Sequence, residues 1–138
     1  MTGRRATLPL ALLAVAATPL LSGCGSNPSY AKTGPGRVTV RLSEYRIAPE
    51  FLQVRAGRLR IDARNVGRLT HNVAVVQFKR PLSSEDERMY GKPTPTLFPG
   101  KAGSTTVTLK PGKYRIVCTI ANHDNLGQYG ELKVTAKK

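Results

Sequence analysis

Cys118, His123 and Gln128 recur at even spacing, C-x4-H-x4-Q, within one short polar stretch near the C-terminus. The second of the chain's two histidines, His71, stands far upstream at the head of the apolar run 72–78. A thiolate with imidazoles suits copper or zinc, and geometry more than raw affinity decides between them. A structural zinc site ordinarily offers several cysteines, or a Cys2His2 set at tight spacing. This chain has two cysteines, and Cys24 lies near the N-terminus, far from Cys118. An amide oxygen is a poor zinc ligand but an acceptable weak axial donor to copper, where it favours Cu(II) over Cu(I). The donor set therefore points to one copper ion held by His71, Cys118 and His123, with Gln128 in the axial position. A backbone oxygen, or no close fourth donor, is the alternative there. Met89 is the one methionine besides Met1, and it lies in a charged segment outside the loop spacing.

Each residue alone has an ordinary structural reading: a buried cysteine behaves as a small core hydrophobe, and His71 or Gln128 could serve a strand start or a turn. Taken together, in this order and spacing, they favour the metal reading. A Cys-His hydrolase with Cys118 as nucleophile is disfavoured, since no oriented base with a third group and no oxyanion element can be found.

The pattern resembles that of the cupredoxins, the superfamily of plastocyanin, azurin and stellacyanin, over about the last hundred residues, the size of one sandwich domain. The resemblance rests on His71-Asn72 at a strand start and on the C-terminal C-x4-H-x4-Q loop. Gln128 replaces the commoner Met, as in the stellacyanin-like branch, and Ala121-Asn122 replaces the Pro-Gly often found before the loop histidine. The resemblance implies an all-β, Greek-key β-sandwich with one type 1 copper per chain, an electron carrier rather than an enzyme. It also implies that Asn72 ties its strand to the Cys118 loop near Thr119, and that His123 has the more exposed ring and admits electrons. Ile120, Ala121 and Leu126 would form a small apolar docking face around it.

The elements that must hold these residues are strands. Val38, Val40 and Leu42 alternate with polar neighbours, as do Leu59, Ile61 and Ala63. Further runs cover 51–55, 72–78, 104–109, 114–118 and 130–135, divided by turn signals such as Ala56-Gly57, Asn65-Val66-Gly67 and Pro111-Gly112. Several short strands so divided predict a β-sandwich. Ser83 followed by acidic residues predicts one short helix over 83–90. On this scaffold Cys118 ends one strand, Gln128 precedes the next, and the ligand loop caps one end of the sandwich.

Arg4-Arg5, the apolar stretch 8–21 and Leu21-Ser22-Gly23-Cys24 resemble a bacterial lipoprotein signal, with Cys24 the lipid-modified residue. The expected organisation is a signal peptide over 1–23, a flexible tether rich in Gly, Ser and Pro over 24–36, and a copper-binding domain over 37–138. The protein would then be exported and lipid-anchored at the extracytoplasmic face of a membrane. Lipidation of Cys24 leaves Cys118 without a disulfide partner, and coordination would hold its sulfur as a bound thiolate. The formal net charge of +14 falls to about +12 without the signal. Such a surface suits an acidic redox partner or anionic headgroups. Its cations are scattered over strands with no recognition helix or stacking platform, which argues against nucleic acid. A monomeric electron carrier is expected; the alternative is a copper-binding lipoprotein that sequesters or delivers the ion.

Overall fold

Alternation of apolar and polar side chains turns one face of each strand inward, and two sheets result. The computed structural model describes residues 27–78 and 88–137. Its strands are β1 (Ala31–Lys32), β2 (Arg37–Ser43), β3 (Arg46–Ala48), β4 (Phe51–Arg55) and β5 (Gly57–Asn65), followed by β6 (Ala74–Gln77), β7 (Met89–Tyr90), β8 (Ala102–Leu109), β9 (Gly112–Val117) and β10 (Tyr129–Thr135). One sheet runs β1-β4-β10-β9-β6-β7 and the other β3-β2-β5-β8. Three pairings are parallel, β2 with β5 (Val38 opposite Ile61), β4 with β10 (Leu52 opposite Leu132) and the short β1 with β4 (Ala31 opposite Leu52). Parallel neighbours cannot be joined by a hairpin, so the chain must cross between the sheets.

The strict two-residue period of β2 and β5 buries Val38, Val40, Leu42, Leu59, Ile61 and Ala63 in one cluster with Leu52, Ile116 and Leu132 of the facing sheet. Truncating a fully buried leucine such as Leu52 or Leu132 removes its transfer free energy and leaves a cavity, about 2–5 kcal/mol. Gly130 lets β10 pass close to the segment before β4. A β-carbon there would lie 2.6 Å from the Glu50 carbonyl oxygen, which instead accepts the Glu131 N–H at 2.7 Å.

The expected strands over 37–43, 51–55, 58–64, 72–78, 104–109, 114–118 and 130–135 are present, with ends moved by a few residues. Three short strands are additional. β1 lies inside the stretch expected to be tether: Ala31 pairs with Leu52, the Tyr30 ring packs edge-on against Phe51 at 5.8 Å, and the Tyr30 hydroxyl donates to Glu131. The ordered sandwich therefore begins before residue 37. The helix expected over 83–90 does not include its last two residues, because Met89 and Tyr90 form β7 and pair with Val76 and Val75; 83–87 lie outside the described residues. The expected signal and Cys24 also lie outside them. Among the described residues no helix is long and apolar enough to cross a membrane.

Candidate metal centre

Cys118 follows directly on β9, and its N–H donates to the Gln128 carbonyl at 3.1 Å, closing the neck of the loop 118–128 where Val117 and Tyr129 pair. Within the neck the chain folds into successive tight turns. His123 N–H bonds the Ile120 carbonyl, Leu126 N–H the His123 carbonyl and Gly127 N–H the Asp124 carbonyl, at 3.0 to 3.1 Å. Ala121 and Asn122 take left-handed backbone, with φ of 49° and 56°. This winding points the His123 ring inward while Asn122 and Asn125 stay exposed.

His71 is placed by a different device. It exchanges both backbone hydrogen bonds with Leu97, at 3.1 and 2.8 Å. The turn before it is organised by buried Asn65, whose amide donates to the carbonyls of Leu69 (2.7 Å) and Leu97 (2.8 Å) and whose oxygen accepts the Gly67 N–H (2.9 Å).

These two devices bring His71, Cys118 and His123 together, all buried, with one ligand atom from each within 4.8 Å of the others. The Cys118 sulfur lies 3.9 Å from Nδ1 of His71 and 3.6 Å from Nδ1 of His123. Bonds of about 2.0 Å to nitrogen and about 2.3 Å to sulfur, arranged in a trigonal plane, would separate such atoms by about 3.8 Å. The three side chains thus stand at ligand spacing in the metal-free chain. The two imidazoles are 5.2 Å apart, tilted by 60°.

Gln128 is fully buried beside them. Its Nε2 donates to the Ser43 carbonyl at 2.7 Å and contacts the Arg46 carbonyl at 3.4 Å. With the amide so oriented, its Oε1 has no hydrogen-bond partner among the described residues; nor has His71 Nε2. A buried acceptor without a donor is costly, and such an oxygen beside a thiol and two imidazoles fits a cation better than a purely structural role.

Asn72 bridges the two ligand segments. Its Oδ1 accepts the Thr119 N–H and its Nδ2 donates to Thr119 Oγ1, both at 2.8 Å. Burial pushes the Cys118 thiol above its ordinary value, while the N–H groups of Asn72 and Ile120 act in the opposite sense. Burial holds His71 below its ordinary value, and nearby His123 adds to the effect, whereas the Gln128 side chain opposes it.

His123, at 7% exposure, is the more exposed of the two histidines, as expected, His71 being fully buried; the Tyr45 ring lies edge-on against it at 5.4 Å. Of the expected docking residues, Leu126 and Ala121 are exposed and Ile120 is half-buried. Met89 is exposed on β7, outside the cluster. Sequence reading also missed Asn65, Glu44 and Tyr45. Asn65 stood within a recognised turn signal, and an aromatic in a two-residue turn was the available sign for Tyr45.

A two-sheet sandwich with a His2Cys cluster at one end defines a class of metal-binding β-domain, and solved structures supply its relatives. No family model matches the chain, and no curated protein does. Among solved structures the chain is similar to dithionite-reduced auracyanin from Roseiflexus castenholzii at 19% identity, covering 74% of this chain and 99% of that one, with a TM-score of 0.63. It is similar to auracyanin B at 24% identity, covering 80% and 93%, with a TM-score of 0.60. It is also similar to auracyanin A, a "blue" copper protein from Chloroflexus aurantiacus, at 20% identity, covering 72% and 100%, with a TM-score of 0.59. The likeness is one of fold, and the chain has the cupredoxin fold.

Proposed function

We propose that the chain holds a single copper ion on His71, Cys118 and His123, with Gln128 Oε1 as a weak fourth donor, and carries one electron at a time between extracytoplasmic redox partners. A lipid on Cys24 would keep it at the membrane surface, and an acidic partner would suit its basic surface. The observation that carries the reading is the ligand spacing, 3.6 and 3.9 Å from sulfur to the two ring nitrogens, in a buried pocket. Copper bound there would supply a one-electron couple between Cu(I) and Cu(II). The chain's own work is to hold the donors still. The neck bond from Cys118 to Gln128, the bridge from His71 to Leu97 and the Asn72 to Thr119 pair fix three segments relative to one another. A donor set that does not move with the charge on the site keeps reorganisation small, and burial excludes water from it.

Copper holding or delivery without electron transfer is the second reading, and the small exposure of His123, 7%, favours it, because a carrier needs an accessible ring edge. The test uses the soluble chain from Gly25 with Cu(II) added. An intense absorption band at about 600 nm, from thiolate-to-copper charge transfer in a His2Cys site, should appear and should vanish in Cys118→Ala. Reversible one-electron reduction would support the carrier. A strong band with no reversible reduction would favour holding, and colourless binding would refute the type 1 site.

A further inference from the structure

The turn between β2 and β3 contains two residues, Glu44 and Tyr45, because Ser43 pairs with Arg46. Tyr45 has φ of 55°, the left-handed region in which a turn ordinarily places Gly or Asn, since a β-carbon crowds the backbone there. The residue is also 38% exposed, and its hydroxyl has no protein hydrogen-bond partner among the described residues. The position thus carries backbone strain and a partly wetted aromatic ring. What the ring does touch is His123, edge-on, with centroids 5.4 Å apart and planes at 79°. Backbone strain of this kind persists only where surrounding contacts over-determine it, and such positions cluster at functional sites.

Those contacts come from both ligand segments. The Glu44 carboxylate accepts the N–H groups of Leu69, at 3.0 Å, and of Arg68, just ahead of His71. It sits so close over Gly67 that a β-carbon there would come within 2.5 Å of its oxygen. On the other side the Ser43 and Arg46 carbonyls hold the Gln128 amide. One short turn is therefore tied to the approach to His71, to Gln128 and to the face of His123.

We propose that Tyr45 is the cover and positioning residue of this centre: the β2–β3 turn presses its ring against His123, sets the plane of the imidazole and keeps small solutes off it. A redox partner docking at this end would meet a phenol ring rather than an imidazole edge. The inference rests on reading His123 as a ligand, but the cover belongs to the metal-free chain and is tested there.

The metal-free soluble chain is treated with diethyl pyrocarbonate, and carbethoxylation of each histidine is followed by peptide mass spectrometry. His71, fully buried, is the internal control. Tyr45→Asn removes the ring while putting a residue that tolerates left-handed backbone in its place. Its thermal midpoint should hold or rise, and His123 should react about tenfold faster, because exposure-limited reactivity follows local opening. Tyr45→Phe keeps the ring and should react like the parent. An unchanged His123 rate in Tyr45→Asn overturns the proposal, as does His71 reacting in step with His123, or Tyr45→Phe behaving like Tyr45→Asn. If Tyr45→Asn uncovers His123 in a chain that gives no thiolate-to-copper band, the cover stands and the copper reading falls.

Discussion

Asn72→Ala removes the side chain that joins the His71 segment to the Cys118 loop, and its cost can be worked from the bonds it makes. Three are lost: the Thr119 N–H to Oδ1 and Nδ2 to Thr119 Oγ1, each 2.8 Å, and a longer bond from the Thr119 hydroxyl to Oδ1 at 3.3 Å. A typical intramolecular hydrogen bond contributes about 1 kcal/mol net, and a donor left unsatisfied costs about 1–3 kcal/mol. Thr119 is exposed, so water can reach its hydroxyl and part of its backbone, which holds the total near the lower end. The expected loss is about 2–3 kcal/mol for the metal-free chain. At about 4–6 °C per kcal/mol for a domain of this size, the melting midpoint should fall by about 10–15 °C. Urea unfolding of the soluble chain measures the loss directly, and Thr119→Ala apportions it. That variant removes only the hydroxyl bonds, so it should cost about 1 kcal/mol and couple to Asn72→Ala by a similar amount. A loss under about 0.5 kcal/mol for Asn72→Ala, the size of an ordinary surface substitution, would refute the claim that this pair joins the two segments.

Three further outcomes follow from the same structure. At pH 7 Cys118 holds its proton, because burial raises the thiol, whereas His71, held below its ordinary value, is already neutral. Loading with Cu(II) or Zn(II) should therefore release a proton from Cys118, with affinity rising about tenfold per pH unit; calorimetry in buffers of different ionisation enthalpy checks this, and zero release refutes it. The Leu69 and Arg68 N–H groups lower the Glu44 carboxyl from its ordinary value to about 2. A depressed folded value gives stability that is present above pH 4.5 and lost as pH falls toward 2. Glu44→Gln should flatten that part of the stability curve, and an unchanged acid limb would count against the contact. Ala121→Gly relieves a β-carbon at φ 49° and should stabilise the metal-free chain by about 0.5–1 kcal/mol, read from thermal midpoints.

The long strands were legible because their faces differ chemically. In β2 and β5 every second residue is apolar and buried, so periodicity alone located them. β1, β3 and β7 are two or three residues long, too short to show a period, and their pairing is decided by the strand alongside. Tyr30 belongs to the sandwich through Phe51 and Glu131, contacts that no local composition announces. The ligand trio was legible for a different reason: a thiolate and two imidazoles are scarce in this chain, and their order limits the chemistry. Burial of His123 was not, because it depends on Tyr45, which sits in a turn far upstream and meets the loop only after the two sheets close. The loop's own polar neighbours, Asn122, Asp124 and Asn125, suggested exposure, yet the left-handed pair Ala121-Asn122 reverses the chain and turns the imidazole inward.

The same closure explains why the centre must weaken the chain that carries it. Oε1 of Gln128 and Nε2 of His71 are buried and make no hydrogen bond of good geometry among the described residues, although the Gln128 side chain lies close enough to His71 to favour its protonated form; a buried atom left unpaired costs about 1–3 kcal/mol. The Gln128 amide cannot turn to satisfy its oxygen without releasing the Ser43 carbonyl, and the backbone at His71 is pinned by its exchange with Leu97. The Gln128 amide and the His71 segment are thus held in an arrangement not chosen for stability alone. An ion bound only by the folded chain, at a thousand times its dissociation constant, adds about 4 kcal/mol, more than one such unpaired atom costs. The strain in the β2–β3 turn belongs to the same pattern, since relieving it at Tyr45 should make the chain more stable while uncovering His123.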